Sequence, residues 1–282
     1  QHDADLLMAL EAGAEHFAEA LDYFPDFPEF ESSAERYLSV IEEAKRRDHR
    51  VLGKQLELFS INPLVGSGLV MWLPKGAVIR TLLETFVRDE LTRRGYQSVY
   101  TPNVGRVELY ETSGHYPYYS DSMFTPIVIE EDEQYILKPM NCPHHVMIYK
   151  SRPRSYRELP LRLAEFGTVH RYEKSGELSG MTRVRGFTQD DAHIFMTPDQ
   201  IRSEILDTLK LEQRIYETFG LDFHLELSTR PEKSIGTDDQ WDMATNGLKA
   251  AMDIYGAEYK INEGDGAFYG PKMDFMVKYS LG

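Results

Sequence analysis

Between Phe166 and Phe195 the chain reads FGTVHRYEKSGELSGMTRVRGFTQDDAHIF, and this stretch restricts the fold more tightly than any other. Two segments rich in β-formers, one reaching His170-Arg171-Tyr172-Glu173 and one resuming as Arg183-Val184-Arg185-Gly186-Phe187, flank a span broken by Gly176 and Gly180. Extended preference on both sides of a glycine-punctuated span predicts two antiparallel strands joined by a long loop. Facing strands bring Arg171 and Arg183 near each other, with Glu173 and Phe187 close by. One floor then presents cationic groups, a carboxylate and an aromatic ring. That set suits a nucleotide, with guanidinium on phosphate, ring on base and carboxylate on an exocyclic amine. The same residue types also make an ordinary solvated hairpin with cross-strand ion pairs, and composition alone favours that plainer reading.

The rest of the chain supplies helices and further strands around this pair. Residues 1–34 carry helical spacing in Leu6, Leu10, Ala14, Phe17 and Leu21, broken at Pro25 and Pro28, and the role of this segment is not given by the sequence. Ser32-Ser33 can cap a linker helix within residues 35–59, running to about Leu56. Residues 60–282 read as one large domain. Within it, Pro63 to Gly76 is an entrance loop with a short strand, and Ala77 to Arg94 is an amphipathic helix with Val78, Leu82, Phe86, Val87 and Leu91 inward, ended by Gly95. Gln97 to Tyr100 is a strand closed by Pro102, and Leu109 to Phe124 crowds aromatic residues with glycine and serine. Gln134 to Leu137 is a strand entering Lys138-Pro139-Met140-Asn141-Cys142-Pro143, where two prolines predict a rigid turn at the cysteine, with helix resuming at His145. Thr197-Pro198 starts a helix to about Phe219, Phe223 to Ser228 is a strand, and Trp241 to Tyr255 is a helix. A glycine-dense corner, Gly264 to Lys272, precedes a last strand from Met273 to Tyr279. The expected class is α+β, an antiparallel sheet flanked by helices.

Composition narrows the setting. A chain of 282 residues with 41% hydrophobic and 27% charged residues is an ordinary globular one with room for a substantial core. It has no apolar run near the roughly 18 residues of a membrane span, and QHDADLL lacks the basic start and apolar centre of a signal peptide, so a cytoplasmic protein with no membrane partner is expected. One cysteine excludes an internal disulfide. A net charge of −15 argues against non-specific binding to DNA or RNA, while leaving open a specific RNA contact through the cluster Lys150, Arg152, Arg154, Arg157 and Arg162.

The Arg-x-Glu segment, variable loop and return strand with Arg and Phe resemble motif 2 of the class II aminoacyl-tRNA synthetases. Two further stretches sharpen this: Gln189-Asp190-Asp191-Ala192-His193 on the return strand, and LKPMNCPH from Leu137 to His144. Together they are similar to the catalytic domain of the threonyl-tRNA synthetases, from about Leu38 to Gly282. EEAKRRDHRVLGKQLELF, from Glu42, resembles the linker into that domain, and Ala77 to Pro102 looks like motif 1, which in the family builds the dimer interface. In the family, motif 3, with a second adenine-stacking arginine, a third metal ligand and an anticodon-binding domain lie beyond the position of Gly282. The chain alone is therefore expected to activate threonine feebly or not at all. No editing motif is visible in residues 1–34.

The resemblance implies ATP-dependent activation of L-threonine and its transfer to tRNA(Thr) by a homodimer. It implies that Arg171 meets the α-phosphate and the substrate carboxylate, Glu173 the adenine amine and Arg183 the γ-phosphate, with Phe187 stacked on the ring. Arg171, Gln189 and Arg183 are then the catalytic candidates. Gln189 is expected at the substrate carboxylate, Asp191 at its hydroxyl and Tyr269 at its amino group, with Met140 and Lys272 as further substrate contacts. Cys142 and His193 match two of the three zinc ligands of the family, a thiolate and an imidazole that suit Zn2+ and leave a position open for substrate. Mg2+ is implied with ATP. Three other readings stand beside this one: a synthetase-like protein or fragment that binds ATP, amino acid or tRNA without full aminoacylation, a seryl or prolyl type of class II enzyme, and a thiol enzyme using Cys142 with His144 or His145.

Overall fold

The computed structural model describes residues 28–130 and 132–277; the helical spacing expected before Pro28 and the strand end expected at Lys278 and Tyr279 lie outside them. Helix α1 (Pro28–Arg47) ends in Lys45, Arg46 and Arg47, cations at the negative end of its dipole. The single linker helix expected to run to Leu56 is interrupted at Asp48. Its carboxylate accepts the backbone N–H of Arg50 and so caps a separate helix, α2 (His49–Gln55). Ser32 and Ser33 fall inside α1 and not at its start.

Strands β1 (Phe59–Ile61) and β2 (Val70–Trp72) form an antiparallel pair at the entrance. Helix α3 (Pro74–Arg93) starts earlier than Ala77 because Pro74 suits the first turn, and it ends before Gly95, which takes the left-handed conformation at φ 78°. Its apolar face is turned inward only in part: Phe86, Val87 and Leu91 are half-buried, with Phe86 edge-on to Phe219 at 5.8 Å, while Val78 and Leu82 are 61% and 65% exposed. Strand β3 (Gln97–Ser98) follows. Strand β4 (Val104–Arg106), helices α4 (Val107–Thr112) and α5 (His115–Tyr119), and strands β5 (Ile127–Glu130) and β6 (Glu133–Leu137) make a small sheet in the order β4-β6-β5, closed over Val107, Tyr110, Met123 and Ile136.

Helix α6 (Cys142–Lys150) leads to the long pair β7 (Leu161–His170) and β8 (Gly186–Phe195), antiparallel and in register from Leu161↔Phe195 to His170↔Gly186. Strand β3 adds to β7 in parallel. A turn in which Thr197 and Gln200 cap each other opens helix α7 (Ile201–Phe219), ended by left-handed Gly220. Strand β9 (Phe223–Ser228), helix α8 (Asp238–Tyr255) and strands β10 (Tyr259–Asn262) and β11 (Lys272–Val277) complete the described chain. The third sheet has the order β10-β9-β11, and α7 and α8 bury Leu209, Leu225, Leu227 and Met252 against it.

The class is therefore the expected one, helices around sheets that are mostly antiparallel. Among the described residues no helix is long and apolar enough to cross a membrane.

Candidate active site

Successive residues of a strand point to opposite faces. In the β7–β8 register this places Leu163, Glu165, Gly167 and Val169 with Phe187, Gln189, Asp191 and His193 on one face. The other face carries Thr168 and Thr188, whose hydroxyls lie 3.0 Å apart. Behind it is a cavity of about 650 Å3 lined by Trp72, Leu83, Phe166, Ile215 and Phe219 among others. Phe187 also borders this cavity, so the cavity adjoins the nucleotide floor.

The strands end sooner than the sequence suggests. Arg171 and Glu173 lie just past β7 and Arg183 just before β8, although pairing continues through Arg171 N–H to the Arg185 carbonyl at 3.0 Å. The four residues expected to meet do so as two pairs. The Arg171 guanidinium lies 5.3 Å over the Phe187 ring and donates from Nε to the Pro139 carbonyl at 3.3 Å. Arg183 Nε donates to Glu173 at 3.1 Å, with the arginine side chain 57% exposed. Arg185 braces the loop from inside, covering the Tyr172 ring at 4.9 Å and donating to the Glu173 carbonyl at 2.8 Å.

Farther along the same face, Cys142 opens α6, with Pro143 in its first turn. This corrects the rigid turn expected there: proline fits the first turn of a helix, so the two prolines precede and start the helix and do not exclude it. Burial pushes the Cys142 thiol up to about 11, and the Asp191 carboxylate adds to the effect. A thiol held protonated at neutral pH is a poor nucleophile, which argues against the thiol-enzyme reading. Asp191 accepts a hydrogen bond from Asn141 at 2.9 Å, and its other oxygen is 3.9 Å from His193. Asn141 is fully buried and fits against Gly167, where a Cβ would run into its amide.

His193 Nδ1 is 2.8 Å from His145 Nδ1, and His145 Nε2 is 3.0 Å from Glu165. His145 is thus His193's neighbour and partner, while His144 faces the Tyr110 hydroxyl at 3.5 Å. Burial holds His193 below its ordinary value, against the pull of the Asp191 carboxylate. Glu165 is opposed by burial, yet hydrogen bonds from His145 and Thr101 and the Lys138 ammonium bring it down to about 2. Among the described residues no three of the His, Cys, Asp and Glu side chains converge as a metal cluster. Cys142 and His193 supply two donors of the kind zinc takes, beside the carboxylate of Asp191.

An aromatic wall stands nearby. His115 is buried, bonded through Nδ1 to Ser113 at 2.8 Å, and packs on Phe268 and Tyr269 at 5.7 and 6.3 Å between ring centres. Tyr269 itself is half exposed, and burial of its hydroxyl beside Cys142 and Arg171 pushes it up to about 12. Lys272 is committed elsewhere, to Asp265 at 3.0 Å and Asp274 at 3.1 Å. Gln189 pairs with Gly167 in the strand register, and Met140 sits between Pro139 and Asn141. The basic cluster is largely engaged within the chain: Arg152 pairs with Glu158, Arg154 lies over the Tyr149 ring at 5.4 Å, and Arg162 pairs with Glu204 at 2.6 Å.

Sequence reasoning did not single out Thr101, Lys138, Asn141 or Glu165. The one signal was Glu165, a carboxylate in the otherwise apolar run Leu163-Ala164-Glu165-Phe166, on the same face as Asp191.

A family model described as the tRNA synthetase class II core domain (G, H, P, S and T) matches residues 124–281. The threonine--tRNA ligase of Deinococcus deserti is 59% identical over 252 residues, which cover 88% of this chain and 39% of that protein. A crystal structure described as the RNA binding domain of threonyl-tRNA synthetase from Cryptosporidium parvum superposes with a TM-score of 0.77 at 48% identity, over 82% of this chain and 57% of that one. A putative threonyl-tRNA synthetase from Aeropyrum pernix superposes with a TM-score of 0.72 at 32% identity, over 80% of this chain and 54% of that one. The chain thus spans about 39% of the length of such a curated relative. The matched model covers β7, β8 and the loop between them together with Cys142, Asp191 and His193, and on that ground the chain belongs to the class II tRNA synthetase core-domain family.

Proposed function

We propose that this chain forms threonyl-adenylate from threonine and ATP, as the activating part of a threonine--tRNA ligase that then charges tRNA(Thr). The observation that carries the reading is a polarity along one face of β7 and β8. The nucleotide-type set of Arg171, Glu173, Arg183 and Phe187 stands at one end, and Asp191, Cys142 and His193 at the other. Phe187 and Asp191 are four residues apart on one strand, about 13 Å at strand rise, comparable with the span of an aminoacyl adenylate.

In the reaction a carboxylate oxygen of threonine attacks the α-phosphorus of ATP in line, and the bond from that phosphorus to the pyrophosphate oxygen breaks. The need is to position two anions and spread the charge that builds on phosphorus, with no general base. Arg171, fixed by Phe187 and the Pro139 carbonyl, supports the α-phosphate and the threonine carboxylate. Gln189 orients that carboxylate. Glu173 and Arg183 hold each other, with the arginine exposed and the carboxylate partly covered. Opening this pair frees Glu173 for the adenine amine and Arg183 for the γ-phosphate, while Phe187 takes the ring.

Asp191 accepts the substrate hydroxyl, Tyr269 meets its amino group, and Met140 borders the side chain; Lys272, held by Asp265 and Asp274, contributes at most indirectly. Cys142 and His193 would hold Zn2+, which when bound supplies a Lewis acid for the amino and hydroxyl groups of threonine; Mg2+ would accompany the phosphates. A homodimer, seated through the exposed apolar residues Val78, Ile79, Leu82 and Leu83 of α3, and a cytoplasmic setting complete the reading.

Amino-acid-dependent ATP–pyrophosphate exchange tests it. Exchange that threonine drives above proline and glycine, even at a low rate, supports the proposal, and exchange driven by proline or serine without threonine contradicts it.

A further inference from the structure

We infer that Glu165 and His145 are positioning residues that set the tautomer of His193, keeping a hydrogen on Nδ1 so that Nε2 carries the lone pair a metal ion takes. This deepens, and rests on, the assignment of Cys142 and His193 as zinc ligands.

The chain of contacts begins away from the substrate face. Glu165, 7% exposed, accepts from the Thr101 backbone N–H at 3.1 Å and the Thr101 hydroxyl at 2.7 Å. That hydroxyl accepts in turn from Lys138 Nζ at 2.7 Å, so its own hydrogen is directed at Glu165. The Lys138 ammonium, fully buried, is also 3.5 Å from the carboxylate. An ionised carboxylate surrounded by donors can only accept. His145 Nε2, 3.0 Å away on the same oxygen as the hydroxyl, must therefore donate. With its one imidazole hydrogen on Nε2 for Glu165, the His145 ring has a bare Nδ1. Two imidazole nitrogens 2.8 Å apart share one hydrogen, and with Nδ1 of His145 bare it comes from His193.

The rings meet edge to face, with centres 4.6 Å apart and planes at 82°, which aims one nitrogen into the other. His193 Nε2 has no hydrogen-bond partner among the described residues. A histidine left to itself favours the hydrogen on Nε2, the wrong nitrogen for ligation here. The Glu165–His145 pair reverses that preference, as second partners of metal-bound histidines do. His145 lies in α6 on the turn after Cys142, so the helix that carries the thiol also carries the group that orients the imidazole.

Imidazole proton–nitrogen correlation NMR on the zinc-free chain at neutral pH reads the tautomer directly. The expected result is a hydrogen on Nδ1 and none on Nε2 of His193. In His145→Leu the tautomer should revert towards Nε2–H, and Zn2+ affinity, measured by chelator competition, should fall by about 10–100-fold. The absorption of the Co2+-loaded chain should weaken in parallel. His145→Asn, whose amide oxygen can replace Nδ1 as acceptor, should restore most of the affinity. An Nε2–H tautomer in the unmodified chain overturns the inference, and that spectrum needs no variant to fold. His145→Leu with unchanged tautomer and Zn2+ affinity overturns it as well, reducing His145 to packing. Cys142→Ala and His193→Ala chains that bind Zn2+ as tightly as the unmodified chain would overturn the ligand assignment beneath it. The tautomer spectrum tells these failures apart.

Discussion

Glu212 shows how a single half-buried side chain couples this fold to pH. Burial pushes its carboxyl up to about 7, and the nearby Asp190 charge adds to the shift. The folded chain therefore keeps a proton that the unfolded chain releases near 4.5. Stability from this group is fully present below the unfolded value and declines as pH rises from about 4.5 through 7. Glu212→Gln should flatten that decline and leave the variant more stable than the parent at pH 8, by about 1–3 kcal/mol in denaturant titrations; an unchanged pH profile would count against it. At the nucleotide floor, Arg171→Ala should lower threonine-dependent exchange by about 10²–10³-fold, while the stacking lost on Phe187 lowers stability by only about 1 kcal/mol. Loss of exchange matched by a large drop in unfolding midpoint would instead assign Arg171 a structural role. Arg171, Glu173, Arg183 and Phe187 were legible because their types and spacing lie in one local stretch. Thr101, Lys138, Asn141 and Glu165 were not, because each finds its partner across the fold. Thr101 reaches Glu165 over 64 positions and Asn141 reaches Asp191 over 50.

Gly167 is where two elements depend on one missing side chain. It lets the Asn141 amide, at the start of α6, lie against β7 and reach Asp191 on β8. Gly167→Ala should force Asn141 aside and cost about 1–3 kcal/mol of stability. It should also weaken binding of a threonyl-adenylate analogue more than binding of ATP. Equal losses for both ligands would show that Asn141 does not act through Asp191. At this scale periodicity and capping signals read well: Phe223–Ser228 is a strand as expected and Thr197 caps the turn that follows, whereas Thr237 caps α8 and starts it at Asp238, ahead of the expected Trp241. The misreadings have local causes. Asp48 stops the linker helix by capping the next one, and the prolines around Cys142 start a helix where a turn was expected. For α3, spacing identified an apolar face but could not say what covers it.

That uncovered face belongs to the scale of the whole molecule. Val78, Ile79, Leu82 and Leu83 are 61%, 45%, 65% and 43% exposed, a stripe that a second copy related by a two-fold axis can bury. Sedimentation should show a dimer at micromolar concentration and a monomer for Leu82→Asp; a monomeric parent chain would contradict the assembly. The α+β class was readable from the order of strand and helix patterns, whereas the division into three-stranded sheets depends on long-range pairing that no local pattern encodes. The central claim is that one face of β7 and β8 reads threonine by its hydroxyl. Calorimetry of the complete enzyme of which this chain is a part, loaded with Zn2+, against non-hydrolysable threonyl- and valyl-adenylate analogues tests it most directly. The expected preference for the threonyl compound approaches about 10⁴-fold and collapses in Asp191→Ala. A preference no greater than the roughly hundredfold of an apolar pocket, unchanged in Asp191→Ala, would contradict it.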